Sequence, residues 1–208
     1  MMQQKVLYRG AEAEIRVGTY LGKDVVEKRR LKKEYRLPEI DHVLISYRTR
    51  EESKLIAEAR CAGVSVPIVY DVDLAGGVIT MEYVKGRRVK DILNGLSDQD
   101  RHDLCVLIGR SIGLLHNADI IHGDITTSNM ILADGRVTFI DFGLGSKSIE
   151  LEAKGVDLHV LMEAFESTHS QRPTCFEDAF AGYRQTYSGD ADLVREKIDE
   201  IVQRGRYR

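Results

Sequence analysis

The stretch His122-Gly123-Asp124-Ile125-Thr126-Thr127-Ser128-Asn129 is followed, one expected hairpin later, by Asp141-Phe142-Gly143. An Asp with an Asn five positions on, then a second Asp at a strand end, offers three oxygen-bearing side chains to one polyphosphate. Asp124 can orient an attacking hydroxyl or water. Asn129 and Asp141 can hold Mg²⁺ against phosphate oxygens, because hard cations take oxygen ligands. Each string alone is a weak signal; the order, and the hairpin between them, make the combination specific. His122 reads as a histidine that fixes the loop, its neighbouring carboxylate being the better base, and Asp134 reads as a turn residue.

Phosphate charge also needs a cation on a rigid element, and Lys28 sits in the run Val25-Val26-Glu27-Lys28-Arg29-Arg30. A lone lysine on a strand is usually a solvated edge charge; the two downstream motifs reverse that reading. A buried lysine needs an anionic partner, and the helix after the strand offers Glu51 and Glu52. Gly10-Ala11-Glu12-Ala13 falls in the first strand-to-strand turn, where a loop would cover phosphates, although a full G-x-G-x-x-G is missing. Met81, Glu82, Tyr83 and Val84 end a strand where an adenine would find backbone hydrogen-bond partners.

The elements that must position these residues are legible in part. Three short alternating runs, broken at Gly10 and at Gly22-Lys23-Asp24, predict strands. From Asp41 to Ala62 the apolar residues Val43, Leu44, Tyr47, Leu55, Ile56 and Ala59 are spaced for a helix that Gly63 ends. Two more strands flank Ala75-Gly76-Gly77, and a hinge is expected at Val84-Lys85-Gly86. Beyond it, Ser97-Asp98-Gln99-Asp100 is a capping-box-like start with Asp in place of Glu or Gln. Leu104, Leu107, Ile108, Ser111, Ile112 and Leu115 continue as the core stripe of a long helix. A hairpin turns at Asp134-Gly135, and the remainder from about Ile149 is helical, with a basic tail, Arg204-Gly205-Arg206-Tyr207-Arg208. Such a tail frays into solvent or touches a phosphate backbone.

The 208 residues allow one good core or two small lobes. With 30 Lys and Arg against 33 Asp and Glu the net charge is -3, which excludes a polybasic nucleic-acid binder. Cys61, Cys105 and Cys175 are far apart without C-x-x-C, so neither zinc nor a disulfide framework is indicated, and all three are expected in the core as reduced thiols. No run approaches the ~20 apolar residues of a membrane span. A cytoplasmic protein without membrane contact is expected.

Taken together, Gly10-Ala11-Glu12-Ala13, Lys28-x-Arg30-x-x-Lys33-x-Tyr35-Arg36-x-Pro38 and Arg48-Thr49-Arg50-Glu51-Glu52 resemble the PRPK-type small atypical kinases, in particular the archaeal free-standing form. These are the kinase subunits of the KEOPS (EKC) complex. The likeness continues through the Asp124 and Asp141 motifs, Val156-Asp157-Leu158, Ser167-Thr168-His169 and the terminal Arg-Gly-Arg, and so covers nearly the whole chain. Leu37 departs from a common His, and the tail is less basic than usual. The resemblance implies an α+β, minimal bilobal protein-kinase-like fold. It would have a five-stranded N-lobe over 1–83 and a reduced helical C-lobe over 84–208 lacking the usual activation segment, the two together one domain. It implies Mg-ATP bound in the cleft, Glu52 as the partner of Lys28, and serine/threonine kinase or ATPase activity supporting threonylcarbamoylation of adenosine next to the anticodon in tRNAs reading A-starting codons. The implied partners are the threonylcarbamoyl-transferase subunit, an ASKHA-fold metalloprotein, the other KEOPS subunits, and tRNA through Arg204, Arg206 and Arg208.

The residues agree with a reduced kinase independently of that likeness. The stretch from Gly143 to Arg208 is short for a peptide-binding platform, none of Pro38, Pro67 and Pro173 sits in an A-P-E motif, and Thr126 stands where ordinary Ser/Thr kinases place a lysine. Two rival readings are a small-molecule phosphotransferase of aminoglycoside or choline kinase type and a non-catalytic, ATP-switched binding subunit. A RIO-type ribosome-assembly kinase is a nearer cousin, but Thr126-Thr127-Ser128 of this chain fits the loop of that kinase poorly.

Overall fold

A computed structural model describes residues 5–206. They form two compact units, one made of the chain up to Ala57 with Pro67–Val84, the other of Glu58–Val66 with the chain from Lys85.

The first unit is an antiparallel sheet with one helix. Its strands are β1 (Lys5–Arg9), β2 (Ala13–Tyr20), β3 (Lys23–Arg30), β4 (Val69–Asp73) and β5 (Val78–Glu82), and α1 (Pro38–Cys61) intervenes after β3. The spatial order β1-β2-β3-β5-β4 makes β3 the central strand, with Lys28 opposite Ile15 of β2 and Ile79 of β5. A side chain there is held by ladders on both sides, which is what a fixed cation needs. The β2–β3 turn is tighter than the sequence suggests. It consists of Leu21 and Gly22, both at positive φ (49° and 78°), which is the two-residue hairpin geometry that matches strand twist. Leu21 adopts it in the open, 87% exposed. Helix α1 starts at Pro38, earlier than periodicity predicts, since proline's fixed φ suits the first helical position. Leu55, Ile56 and Ala59 are buried as expected, whereas Val43 and Tyr47 lie exposed.

The second unit begins, after β6 (Arg87–Arg88) and α2 (Val89–Ile92), with α3 (Asp98–Asn117). Ser97 caps α3 by accepting the Asp100 N–H at 3.1 Å, while the Asp100 carboxylate takes the Ser97 hydroxyl proton at 2.6 Å instead of reaching the cap's backbone. Leu104, Ile108, Ile112 and Leu115 are buried, as the stripe predicts. Then come β7 (Ile120–Ile121), the hairpin β8 (Met130–Ala133) and β9 (Arg136–Phe139), and β10 (Ser146–Lys147). Asp134 and Gly135 make the β8–β9 turn with φ of 49° and 71°. Three helices finish the chain: α4 (Leu151–Thr168), α5 (Cys175–Thr186) and α6 (Ala191–Arg206). The segment Glu58–Val66 is stitched to β9, where the Phe139 N–H donates to the Ser65 carbonyl at 2.9 Å and the Ser65 and Thr138 hydroxyls are 2.8 Å apart.

α3 and α5 approach backbone to backbone. A Cβ on Gly109 would stand 1.6 Å from the Ala179 carbonyl oxygen, and one on Gly182 would stand 2.0 Å from that of Val106. Of the cysteines, Cys105 and Cys175 are buried as expected, but Cys61, the last residue of α1, is exposed and not part of the core. Among the described residues no helix is long and apolar enough to cross a membrane.

Candidate active site

In the first unit, strand alternation carries Lys28 and Arg30 to one face of β3. Lys28 Nζ lies 2.6 Å from Oε1 of Glu52, which α1 contributes, and Arg30 Nη2 lies 2.5 Å from Oε2 of the same carboxylate. Glu52 is 1% exposed, so its charge depends on those two cations. Glu51, its neighbour in the sequence, is not the one in this cluster. The Gly10–Ala13 turn is closed by the Gly10 N–H donating to the Ala13 carbonyl at 2.9 Å. Lys33 Nζ donates to the Ala11 carbonyl at 2.6 Å, and the Glu12 carboxylate pairs with Lys33 and Arg48, each at 3.2 Å. The Lys33 ammonium, first among those cations, holds the Glu12 carboxyl below its usual range. At the end of β5 the Glu82 N–H donates to the Ile68 carbonyl at 2.8 Å and the Tyr83 N–H to Asp24 at 3.2 Å. Those two donors are therefore spent within the sheet.

In the second unit, Asp124 and Asn129 meet. Asn129 Nδ2 donates to Asp124 Oδ2 at 2.8 Å and to the Asp124 carbonyl at 3.0 Å, so the amide's nitrogen faces Asp124. The register Met130 to Phe139 sets Asn129 opposite Ile140, whose N–H donates to the Asn129 carbonyl at 2.9 Å, and Asp141 comes next in the chain. Asp141 has φ of 65°, and its Oδ1 accepts the Gly143 N–H at 3.1 Å. His122 is fully buried. Its Nε2–H donates to the Ile140 carbonyl at 3.2 Å, leaving Nδ1 to accept the Asp124 N–H at 3.3 Å. Burial pushes its pKa below the usual histidine value, against the pull of Asp157. It is a neutral, loop-fixing histidine in this geometry, as its sequence context suggests.

Asn129 and Asp141 present oxygen donors without sulfur or imidazole, the donor chemistry that Mg²⁺ takes. Among the described residues no group of three or more His, Cys, Asp or Glu side chains is placed to hold a metal. An ion here would therefore complete its shell with phosphate oxygens and water, which is the usual habit of Mg²⁺.

The loop has further supports whose contacts residue spacing does not reveal. Asp157, on α4 and 1% exposed, accepts the His122 N–H on Oδ2 and the Gly123 N–H on Oδ1, both at 2.8 Å. His116 Nε2 lies 3.3 Å from Asp157 Oδ2, and its Nδ1 3.0 Å from the hydroxyl of Tyr183, whose pKa burial pushes up. Gly123 is fixed at φ 80°, and a Cβ there would meet the Leu144 carbonyl oxygen at 2.3 Å. On the far side of the loop, His169 Nε2 stands 3.0 Å from the Thr127 hydroxyl and its Nδ1 2.8 Å from Asn94 Oδ1. Burial, then Lys90, lowers the His169 pKa. In the sequence Asp157 is marked only by its place in the run Val156-Asp157-Leu158, and α4 buries a second polar residue, Lys154. Arg30 enters the sequence reading only as a member of the Lys28-x-Arg30 run, with no role attached. In the tail, Arg204 extends α6 and pairs with Glu152 at 2.8 Å and Glu200 at 3.8 Å. The side chain of Arg206 and the whole of Arg208 lie outside the described residues.

The RIO domain family model matches residues 16–168, a span that includes the Thr126-Thr127-Ser128 loop. The KEOPS complex subunit Bud32 of Pyrococcus abyssi is 46% identical over 212 residues, which cover 98% of this chain and 96% of that protein. A probable bifunctional tRNA threonylcarbamoyladenosine biosynthesis protein of Methanothermobacter thermautotrophicus is 46% identical over 97% of this chain and 36% of its own length. Its counterpart in Methanobrevibacter smithii is 40% identical over 99% and 37%. The chain thus spans about a third of the bifunctional relatives it matches and nearly all of the shorter one.

Proposed function

The chain belongs to the RIO domain family, and on that premise we propose that it is a Mg-ATP-dependent phosphotransferase and ATPase of a KEOPS complex, supporting threonylcarbamoylation of adenosine in tRNA. The observation that carries the reading is the grip of Asn129 on Asp124 at 2.8 Å. It aims one carboxylate oxygen while leaving the amide oxygen of Asn129 for a metal. Asp124 orients the attacking hydroxyl or water and takes its proton. Lys28, steadied by Glu52, neutralises phosphate charge, and Gly10–Ala13 covers the phosphates with a backbone whose first N–H is already used. Because the Glu82 and Tyr83 N–H groups are committed, the Val84 N–H is the donor for the adenine edge. Mg²⁺, when bound by Asn129 and Asp141, supplies charge neutralisation and in-line alignment of the phosphates. The partners are a threonylcarbamoyl-transferase subunit and the remaining KEOPS subunits, with tRNA near Arg204, Arg206 and Arg208.

The test is release of phosphate from γ-labelled ATP by the chain alone and with transferase subunit and tRNA. Asp124→Ala and Asp141→Ala each lose more than about tenfold in turnover, or 1.4 kcal/mol of barrier. Label moved to a small acceptor would favour a small-molecule phosphotransferase. Intact tRNA modification by an Asp124→Ala variant that still binds ATP would favour a nucleotide-switched subunit.

A further inference from the structure

Glu52 is shared without competition. Lys28 takes one oxygen and Arg30 the other, and both cations are themselves buried. Arg30 does more than pair. Its Nη2 also lies 3.4 Å from the carbonyl oxygen of Arg48, one turn earlier on α1, so one guanidinium spans two successive turns of that helix. Its backbone is pinned as well, with the Arg30 N–H donating to the Gly77 carbonyl at 2.9 Å and the residue set opposite Ala13 of β2. Its Nε is buried with no hydrogen-bond partner, so this side chain gives up one of its donors to hold that position.

Consider the effect of nucleotide on such a cluster, with Lys28 as the phosphate-neutralising lysine of the proposed function, a reading on which this inference rests. An ammonium drawn toward phosphate weakens its hold on Glu52. With Lys28 as sole holder, that would strand a buried carboxylate, a costly state that α1 would escape by moving away. A guanidinium stays charged at any working pH, and its flat fork suits a carboxylate and a nearby carbonyl together. We propose that Arg30 is a positioning residue: it keeps Glu52, and with it the middle of α1, seated on β3 while Lys28 acts on phosphate. The seating of α1 is then a standing property of this unit, not something that the nucleotide or the Lys28 contact must create at each turnover.

The experiment uses the full chain with Arg30→Met, Arg30→Lys, Lys28→Met and Asp141→Ala, and three readouts: ATP turnover, ATP affinity by calorimetry, and amide hydrogen exchange along α1 without nucleotide. Arg30→Met is expected to lower kcat by about tenfold or more with ATP affinity held within about threefold. It should also speed exchange near Arg48 and Glu52 by about fivefold or more, because the second holder is gone. Arg30→Lys, a point charge that reaches Oε2 but not the Arg48 carbonyl, should recover part of the turnover and of the protection. Wild-type exchange and kcat in Arg30→Met overturn the proposal. So does a loss of ATP affinity of about tenfold at unchanged kcat, which would make Arg30 a phosphate ligand instead. Should Arg30→Met fail to fold, Arg30→Lys decides alone: exchange near Arg48 unchanged from wild type overturns the proposal, and faster exchange supports it. Full turnover in both Lys28→Met and Asp141→Ala would sink the phosphotransfer reading, while the exchange data would still judge the hold of Arg30 on α1.

Discussion

The two oxygens of Asp157 receive the N–H groups of His122 and Gly123, and through them one buried side chain sets the backbone on which Asp124 stands. Replacing one oxygen by an amide tests that dependence with little change of shape. Asp157→Asn turns an acceptor into a donor facing a donor, which costs about 1–3 kcal/mol for a buried group. Turnover should fall by about tenfold or more, with the ATP KM shifted much less, because the side chain touches the loop and not the substrate. Steady-state kinetics beside a urea melt checks both; wild-type turnover would mean that Gly123 and Leu144 hold the loop unaided. Asp124, Asn129 and Asp141 are open to a reader of the sequence because they crowd into two short strings. Asp157 is not, since its partners lie 35 and 34 positions away and nothing local requires a carboxylate on α4. His169 is similar: it stands in a recognisable run, yet its contact with Thr127 exists only in three dimensions.

Helices and strands emerge from periodicity with small shifts, and the shifts have causes. Proline lets α1 start early, and two positive-φ residues shorten the β2–β3 turn. Periodicity does not carry how near two elements come. A glycine inside a helix reads as a weakness of about 1 kcal/mol, yet Gly109 and Gly182 are where α3 and α5 touch main chain to main chain. Gly109→Ala, favourable by helix propensity alone, is expected to destabilise by about 3 kcal/mol, since its Cβ meets backbone that is not free to swing aside. Gly95→Ala, with nothing within 4 Å of its Cβ, is the matched control and should stay within about 0.5 kcal/mol. Equal unfolding midpoints for the two variants would show that the helices can part at little cost.

For the molecule as a whole, pH is the informative variable. His122 and His169 are both held neutral by burial, with folded pKa values below the ordinary one. Below about pH 6.5 the unfolded chain therefore binds protons that the folded chain refuses, so stability falls as pH falls, by at most about 1.4 kcal/mol per pH unit for each histidine. Urea midpoints at pH 7.5 and 5.5 should show the decline, and His169→Gln should flatten part of it; an unchanged slope would mean that other groups set the acid limit. At this scale the family is legible in the sequence, but the place of Glu58–Val66 is not. A break expected at Val84-Lys85-Gly86 gives no sign that Glu58–Val66 belongs with the unit beyond that break. That detour has a consequence for anyone who would trade parts between such proteins. Cut at Val84, the leading fragment carries off Ser65, and the remainder is left with the N–H of Phe139 and the hydroxyl of Thr138 bereft of the groups they meet here. The two units are interleaved along the chain, so a crossover at a single point, by a cloner or by recombination, delivers neither of them whole.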